Sequence, residues 1–385
     1  MSRSDWAPSL ILEEPQSAAG ELESWVPFVK PHLPPLDNLL PLLSEIWDRG
    51  WVTNDGPVQR RLEANLQRRL GWQNVVATAN GTLALQLACR SLGLEGEVVV
   101  PSFTFPATFQ SLLWNSLVPV PVDVEPGHMT IDPEAAAAAI TSRTSAIVAV
   151  HTFGHPADVV ALRELANGSG LALVYDAASA VGVRVHGEPI TAFGDASAFS
   201  FHATKVMHTV EGGAVTTPHA SVADAVRRLR NFGLDADRPP LSEGTNAKLN
   251  ELEAAVGLLV LDALPEEISG RALVMDNYTS MLANIPGVSI LSAAVGVQPN
   301  HAYAAVRLRN EGRPMADHVH RALKLARISS RRYFNRDYRL SAVRPRGGTP
   351  VADMAADDVL CLPLWAGMPR STVWRISHLI EEAMA

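Results

Sequence analysis

Apolar residues recur at helical spacing twice early in the chain, over Leu36–Arg49 and Val58–Leu70, and each stretch predicts a helix with one buried face. Beyond residue 70 the pattern changes. Short runs that are apolar on both faces appear at Val75–Thr78, Val98–Val100, Val118–Val122, Ala146–Val150, Ala172–Tyr175 and Ala196–Phe201. Helical stretches such as Thr82–Leu92 and Ala107–Trp114 separate them. Buried parallel strands have this composition, because helices cover both sides of their sheet. The alternation therefore predicts an α/β unit built on a large, mostly parallel sheet, whose ligands gather at the carboxyl ends of the strands. Two longer helices are expected at Ala247–Leu261 and Glu266–Ile285, and a closing helix at Ser371–Ala383. The expected division is an acidic, irregular tail or arm over 1–27, a large domain over 28–262 and a smaller α+β domain over 263–385. No internal repeat is visible, and the short alanine run Ala135–Ala139 is the one low-complexity stretch.

Composition narrows the class. Hydrophobic residues make up 47% and charged residues 19% of 385, enough for a large globular core. The net charge of −8 argues against a nucleic-acid partner. Cys89 and Cys361 lie in apolar surroundings and read as core thiols. The twelve histidines show no metal-ligand spacing, so no metal is expected. No apolar run is long enough to span a bilayer, and no basic stretch followed by an apolar one opens the chain. A soluble, cytoplasmic protein is expected.

Candidate chemistry sits at the predicted strand ends. The chain has only four lysines, Lys30, Lys205, Lys248 and Lys324. Lys205 ends the apolar segment Ala196–Lys205. An ammonium is expensive to bury, and a desolvated lysine is a nucleophile suited to a Schiff base. The competing reading is a lysine that reaches from a strand end to solvent. Asn80-Gly81-Thr82 joins a strand to a helix and reads either as an anion site or as an ordinary helix cap. Asp176 ends another apolar strand, where a carboxylate could hold a protonated heteroaromatic nitrogen or simply cap. Ser200 could add a hydroxyl to an anion site. Phe105 could stack on a ring or pack in the core.

The order of these pieces is more telling than any one of them. Asn80-Gly81-Thr82, Pro101–Phe105, Asp176-Ala177-Ala178, Ser200–Lys205 and Glu211-Gly212-Gly213 follow one another, then Arg230-Asn231-Phe232-Gly233 and Gly244-Thr245-Asn246-Ala247-Lys248. From about Lys30 to the C-terminus the chain resembles the DegT/DnrJ/StrS family of sugar aminotransferases that depend on pyridoxal 5′-phosphate. The resemblance implies a fold of the aspartate-aminotransferase type and a homodimer with shared active sites. By position, Lys205 matches the lysine that forms the Schiff base, and Asp176 the aspartate paired with the pyridine nitrogen. Phe105 and Ala178 match the residues on the two ring faces. Gly81, Thr82 and Ser200 match the phosphate cup, and Asn246 an asparagine that reaches the phosphate from the other subunit. Ser179 stands where the family usually has Gln or His near the phenolic oxygen, and Tyr175 replaces the first residue of a usual Glu-Asp pair.

The implied reaction passes nitrogen from L-glutamate to a nucleotide-linked keto sugar. His202-Ala203-Thr204-Lys205 with Glu211-Gly212-Gly213 is similar to members that aminate C4. Gly50–Pro57 is similar to transaminases that make dTDP-4-amino-4,6-dideoxyglucose, so dTDP-4-keto-6-deoxyglucose is the expected acceptor. GDP- and UDP-linked sugars, 3-keto sugars and cyclitol ketones stay open. Arg331, Arg332 and Tyr333 are candidates for the diphosphate or nucleotide and His301 for the sugar, each with a structural alternative. A dehydratase relative would carry histidine in place of Lys205. A regulator would need a fused DNA-binding module, and a non-catalytic homologue would not need the whole cofactor set.

Overall fold

The computed structural model describes residues 25–234, 239–335, 343 and 345–385. Of the expected tail, residues 1–24 lie outside this set. Val26 is already anchored: its N–H donates to Arg327 O at 3.0 Å and its carbonyl accepts from Ser329 N at 2.9 Å.

Two helices, α1 (Leu36–Arg49) and α2 (Pro57–Leu70), precede the first strand. Each stops at a left-handed glycine, Gly50 (φ +62°) and Gly71 (φ +73°), a conformation without a Cβ penalty. The chain then alternates as the sequence pattern requires: β1 (Val76–Thr78), α3 (Gly81–Ser91), β2 (Glu97–Pro101), α4 (Pro106–Trp114), β3 (Val118–Val122), α5 (Pro133–Ala139), β4 (Thr144–Val150), α6 (Val159–Ser169) and β5 (Ala172–Asp176). A short hairpin, β6 (Arg184–Val185) and β7 (Glu188–Pro189), leads to β8 (Ala196–Ser200), β9 (Gly213–Thr216) and α7 (Ala220–Leu229).

One seven-stranded sheet results, in the order β1-β9-β8-β5-β4-β2-β3. Strands β2, β3, β4, β5 and β8 pair in parallel, and β9 runs antiparallel to both of its neighbours. The sheet separates two apolar layers. Val99, Ile147, Leu173 and Phe199 face one, while Val98, Val148, Val174 and Ala198 face the other. This alternation is the pleat of strands buried on both faces.

The rest comprises α8 (Glu251–Asp262), α9 (Leu264–Leu282), β10 (Val288–Ile290), β11 (Val297–Gln298), β12 (Ala304–Asn310), β13 (Arg313–Pro314), α10 (Ala316–Leu325), α11 (Pro350–Asp358), β14 (Val359–Leu362) and α12 (Arg370–Met384). Strands β10, β12, β13 and β14 form a second, antiparallel sheet around a core of its own that includes Val274, Tyr278, Val306, Val319 and Ile376.

Three boundaries differ from expectation for identifiable reasons. Helix α8 starts at Glu251, not at residue 247: Asn250 caps it by accepting from Glu253 N, and Ala247 N is already taken by Arg230 O. Helix α9 starts earlier, at Leu264, with Pro265 in its first turn. Strand β8 ends at Ser200, so Lys205 stands on a turn, its N–H donating to His202 O at 2.9 Å.

Candidate active site

The carboxyl ends of β2, β4, β5 and β8 and the start of α3 surround a pocket of about 330 Å³. Gly81, Thr82, Phe105, Asp176, Ala178, Ser179, Ser200, Lys205 and Tyr333, all singled out from sequence, line it together. Asn246, His301, Arg331 and Arg332 do not.

An anion cradle forms where α3 begins. Asn80 Oδ1 accepts from Leu83 N at 2.9 Å, and Asn80 O from Ala84 N at 3.0 Å. The N–H groups of Gly81 and Thr82 belong to the first turn, which has no acceptor within the helix. The helix dipole adds partial positive charge at the same place. Ser200 completes the cradle because Gly81 has no side chain. A Cβ on Gly81 would lie 2.6 Å from Ser200 Cβ, far inside van der Waals contact.

Asp176 ends β5, buried to 9% exposure. Its Oδ2 accepts from Thr108 Oγ1 at 2.8 Å and its Oδ1 from Ala178 N at 3.2 Å. Burial pushes this carboxyl above its ordinary value, with Thr108, the Ala178 N–H and the Lys205 charge acting against the rise. Among the described residues no cation forms an ion pair with it. A buried carboxylate with two neutral donors and open space beyond fits a protonated ring nitrogen brought by a ligand.

Lys205 Nζ donates to Ser179 Oγ at 3.0 Å and to Tyr303 OH at 3.4 Å. Phe105 caps α4 from the pocket mouth, with the rings of Tyr333 and Phe334 each 6.3 Å away. Ala178 lies on the Asp176 side.

Three expected substrate contacts go elsewhere, while Asn246, expected to reach a second subunit, lies outside this pocket. Arg332 donates through Nε to Asp317 (2.8 Å) and through its terminal nitrogens to the carbonyls of Val359, Ala356 and Asp357, so its guanidinium braces α10 and α11. Arg331 sits over the Phe28 ring at 5.4 Å, and its backbone pairs with Cys361. His301 takes a left-handed backbone (φ +51°) and is half-buried outside the pocket, where burial lowers its basicity. Asn246 is exposed, its backbone paired with Asn231.

Other residues of the site went unread in the sequence. Thr108 looks like any polar position in a helix, although Thr104 and Thr108 sit one turn apart and bond at 2.8 Å. His151 is the first residue after β4, and Asp176 is the last residue of the neighbouring β5. Its Nδ1 accepts from Ala157 N, its ring stacks on Tyr175 at 4.5 Å, and burial pushes its pKa down to about 3. Tyr303, one of five tyrosines, lies two residues past the histidine that drew attention instead.

With this geometry in place, likeness to known proteins becomes informative. Residues 37–381 match the DegT/DnrJ/EryC1/StrS aminotransferase family. The chain belongs to that family and is an aminotransferase. The dTDP-4-amino-4,6-dideoxy-D-glucose transaminase of Escherichia coli is 33% identical over 367 residues, covering 92% of this chain and 98% of the relative. The dTDP-3-amino-3,4,6-trideoxy-alpha-D-glucose transaminase of Streptomyces venezuelae is 34% identical, covering 85% and 87%. The crystal structure of DesI with its TDP-sugar product superimposes with a TM-score of 0.88 at 37% identity, covering 93% of each chain.

Proposed function

We propose that this aminotransferase uses pyridoxal 5′-phosphate to move the amino group of L-glutamate to C4 of dTDP-4-keto-6-deoxyglucose, giving dTDP-4-amino-4,6-dideoxyglucose. The observation that carries the cofactor is the convergence on one pocket of a buried carboxylate with no ion-paired cation among the described residues, a lysine amine and an open helix N-terminus. In this reading Gly81, Thr82 and Ser200 bind the phosphate, Asp176 accepts from the ring N–H and keeps it protonated, and Phe105 and Ala178 enclose the ring. When bound, the cofactor supplies an aldehyde for the lysine and a ring that draws electrons from the carbon bearing nitrogen. Lys205 Nζ takes the proton from the α-carbon of the donor and returns one at the end of each half-reaction. Two half-reactions make the kinetics ping-pong.

The acceptor rests on the named relatives and on the pocket mouth. Phe105, Tyr333 and Phe334 offer apolar ring surface suited to a deoxy sugar or a base. The reading also takes residues 28–262 as the cofactor domain and 263–385 as the small domain, supported by the second sheet and the apolar core packed around it. A homodimer belongs to it too. Exposed Leu36, Leu40, Trp47 and Phe232, together with the outward Asn246, supply the surface.

The test is to incubate the PLP-loaded protein with L-glutamate and dTDP-4-keto-6-deoxyglucose, and to assay 2-oxoglutarate and the sugar product. The expected product carries nitrogen at C4, and Lys205→Ala lowers turnover by roughly 10³-fold or more. Formation of 2-oxoglutarate without an amino sugar would discard this acceptor, and nitrogen at C3 would reassign the position. No 2-oxoglutarate would discard L-glutamate as donor.

A further inference from the structure

The amine of Lys205 is held by hydroxyls alone among the described residues. Ser179 Oγ lies 3.0 Å from Nζ and Tyr303 OH 3.4 Å, with the tyrosine ring centroid at 5.7 Å. The two hydroxyls come from segments distant in sequence, and a buried polar clamp fixes them to each other. Asn300, 1% exposed, donates through Nδ2 to Ser179 O (2.8 Å) and Val181 O (2.9 Å), and accepts from Ala302 N through Oδ1 (3.1 Å). The left-handed turn at His301 then carries the chain from Asn300 to Tyr303. Arg271, itself paired with Glu267 at 2.7 Å, reaches Ala302 O at 3.4 Å from α9. Gly154 closes the third side, where a Cβ would come 2.8 Å from Asn300 Oδ1.

We infer that Tyr303 and Ser179 form one hydroxyl pair that aims the Lys205 amine and exchanges hydrogen bonds with it in both of its protonation states, with Asn300 as the positioning residue that sets the pair. This rests on the reading of Lys205 as the proton-moving group. A carboxylate partner would hold the ammonium form. A hydroxyl accepts from an ammonium and donates to a free amine, so it suits a group that must both lose and gain a proton. The charged or titratable groups that line the same pocket from the other elements are Asp176 at the end of β5, His151 after β4, His202 and Glu211 between β8 and β9, and Tyr333.

The test needs no cofactor. In PLP-free protein, each lysine is acetylated with acetic anhydride over a range of pH and read by peptide mass spectrometry. Lys30, Lys248 and Lys324 serve as internal standards. Tyr303→Phe keeps the ring and its packing while removing the hydroxyl. The expected result is a change of about threefold in the rate of Lys205 labelling relative to the other three lysines, because the amine loses one of the two hydroxyls that aim it. Ser179→Ala moves it the same way. In the loaded enzyme, Tyr303→Phe lowers kcat about tenfold, and KM for the amino donor stays near wild type. A Lys205 labelling rate unchanged in both variants would overturn the inference, whatever the protein transaminates. A changed labelling rate in a protein without aminotransferase turnover would support the hydroxyl pair and overturn the proposed function instead.

Discussion

Two carboxylates at opposite ends of the same sheet have opposite surroundings. Glu97 opens β2 at the amino edge, where it is met by Arg346 (2.7 Å), Arg143 and the hydroxyl of Thr141 (2.8 Å). The hydrogen bonds from Arg346, Arg143 and Thr141 hold its carboxyl down at about 2. Asp176 closes β5 at the carboxyl edge with one hydroxyl and one backbone N–H, and burial pushes its carboxyl up. The described residues supply cations for the first carboxylate and none, as an ion pair, for the second. A structural carboxylate is satisfied by its own fold. A functional one is left short, and the missing partner arrives with the ligand.

The largest effect should follow from breaking the functional side. Asp176→Asn keeps shape but not charge, and is expected to reduce kcat by roughly 10²–10³-fold, measured with saturating PLP. Gly81→Ala attacks the anion cradle. The new methyl collides with Ser200, displaces the start of α3, and should weaken PLP binding by about tenfold, measured by fluorescence titration. The smallest effect belongs to the structural side. Glu97 has a depressed carboxyl, so its stabilisation is full above about 4.5 and is lost as pH falls toward about 2. Glu97→Gln should cost about 1 kcal/mol at neutral pH and flatten the acid limb of a denaturation curve over that window, with kcat unaffected.

What could be read from the sequence divides along the same line. The parallel strands were visible because burial on both faces leaves runs such as Val98–Val100 and Ala146–Val150 without polar interruption. Their carboxyl ends then pointed to Asp176, Gly81 and Ser200, which the structure brings into one pocket. Lys205 stood out through scarcity. Tyr303 did not, because its role comes from a turn at His301 and a clamp by Asn300 that join segments more than a hundred residues apart. Arg332 misled for the complementary reason: its charge pointed to a phosphate, but the carbonyls at the end of α11 and the Asp317 carboxylate occupy its guanidinium. Side-chain chemistry names candidates, and long-range packing decides among them.

The most direct measurement compares the thermal stability of wild type and Asp176→Asn, each with and without PLP. Without PLP, the wild type buries a carboxyl group that pairs with no cation among the described residues, so Asp176→Asn should melt higher at pH 7 by roughly 2 °C. With PLP the order should reverse, because only the carboxylate pairs with the protonated ring. A variant that melts higher in both conditions, or lower in both, would contradict the claim that Asp176 waits for a cation from its ligand.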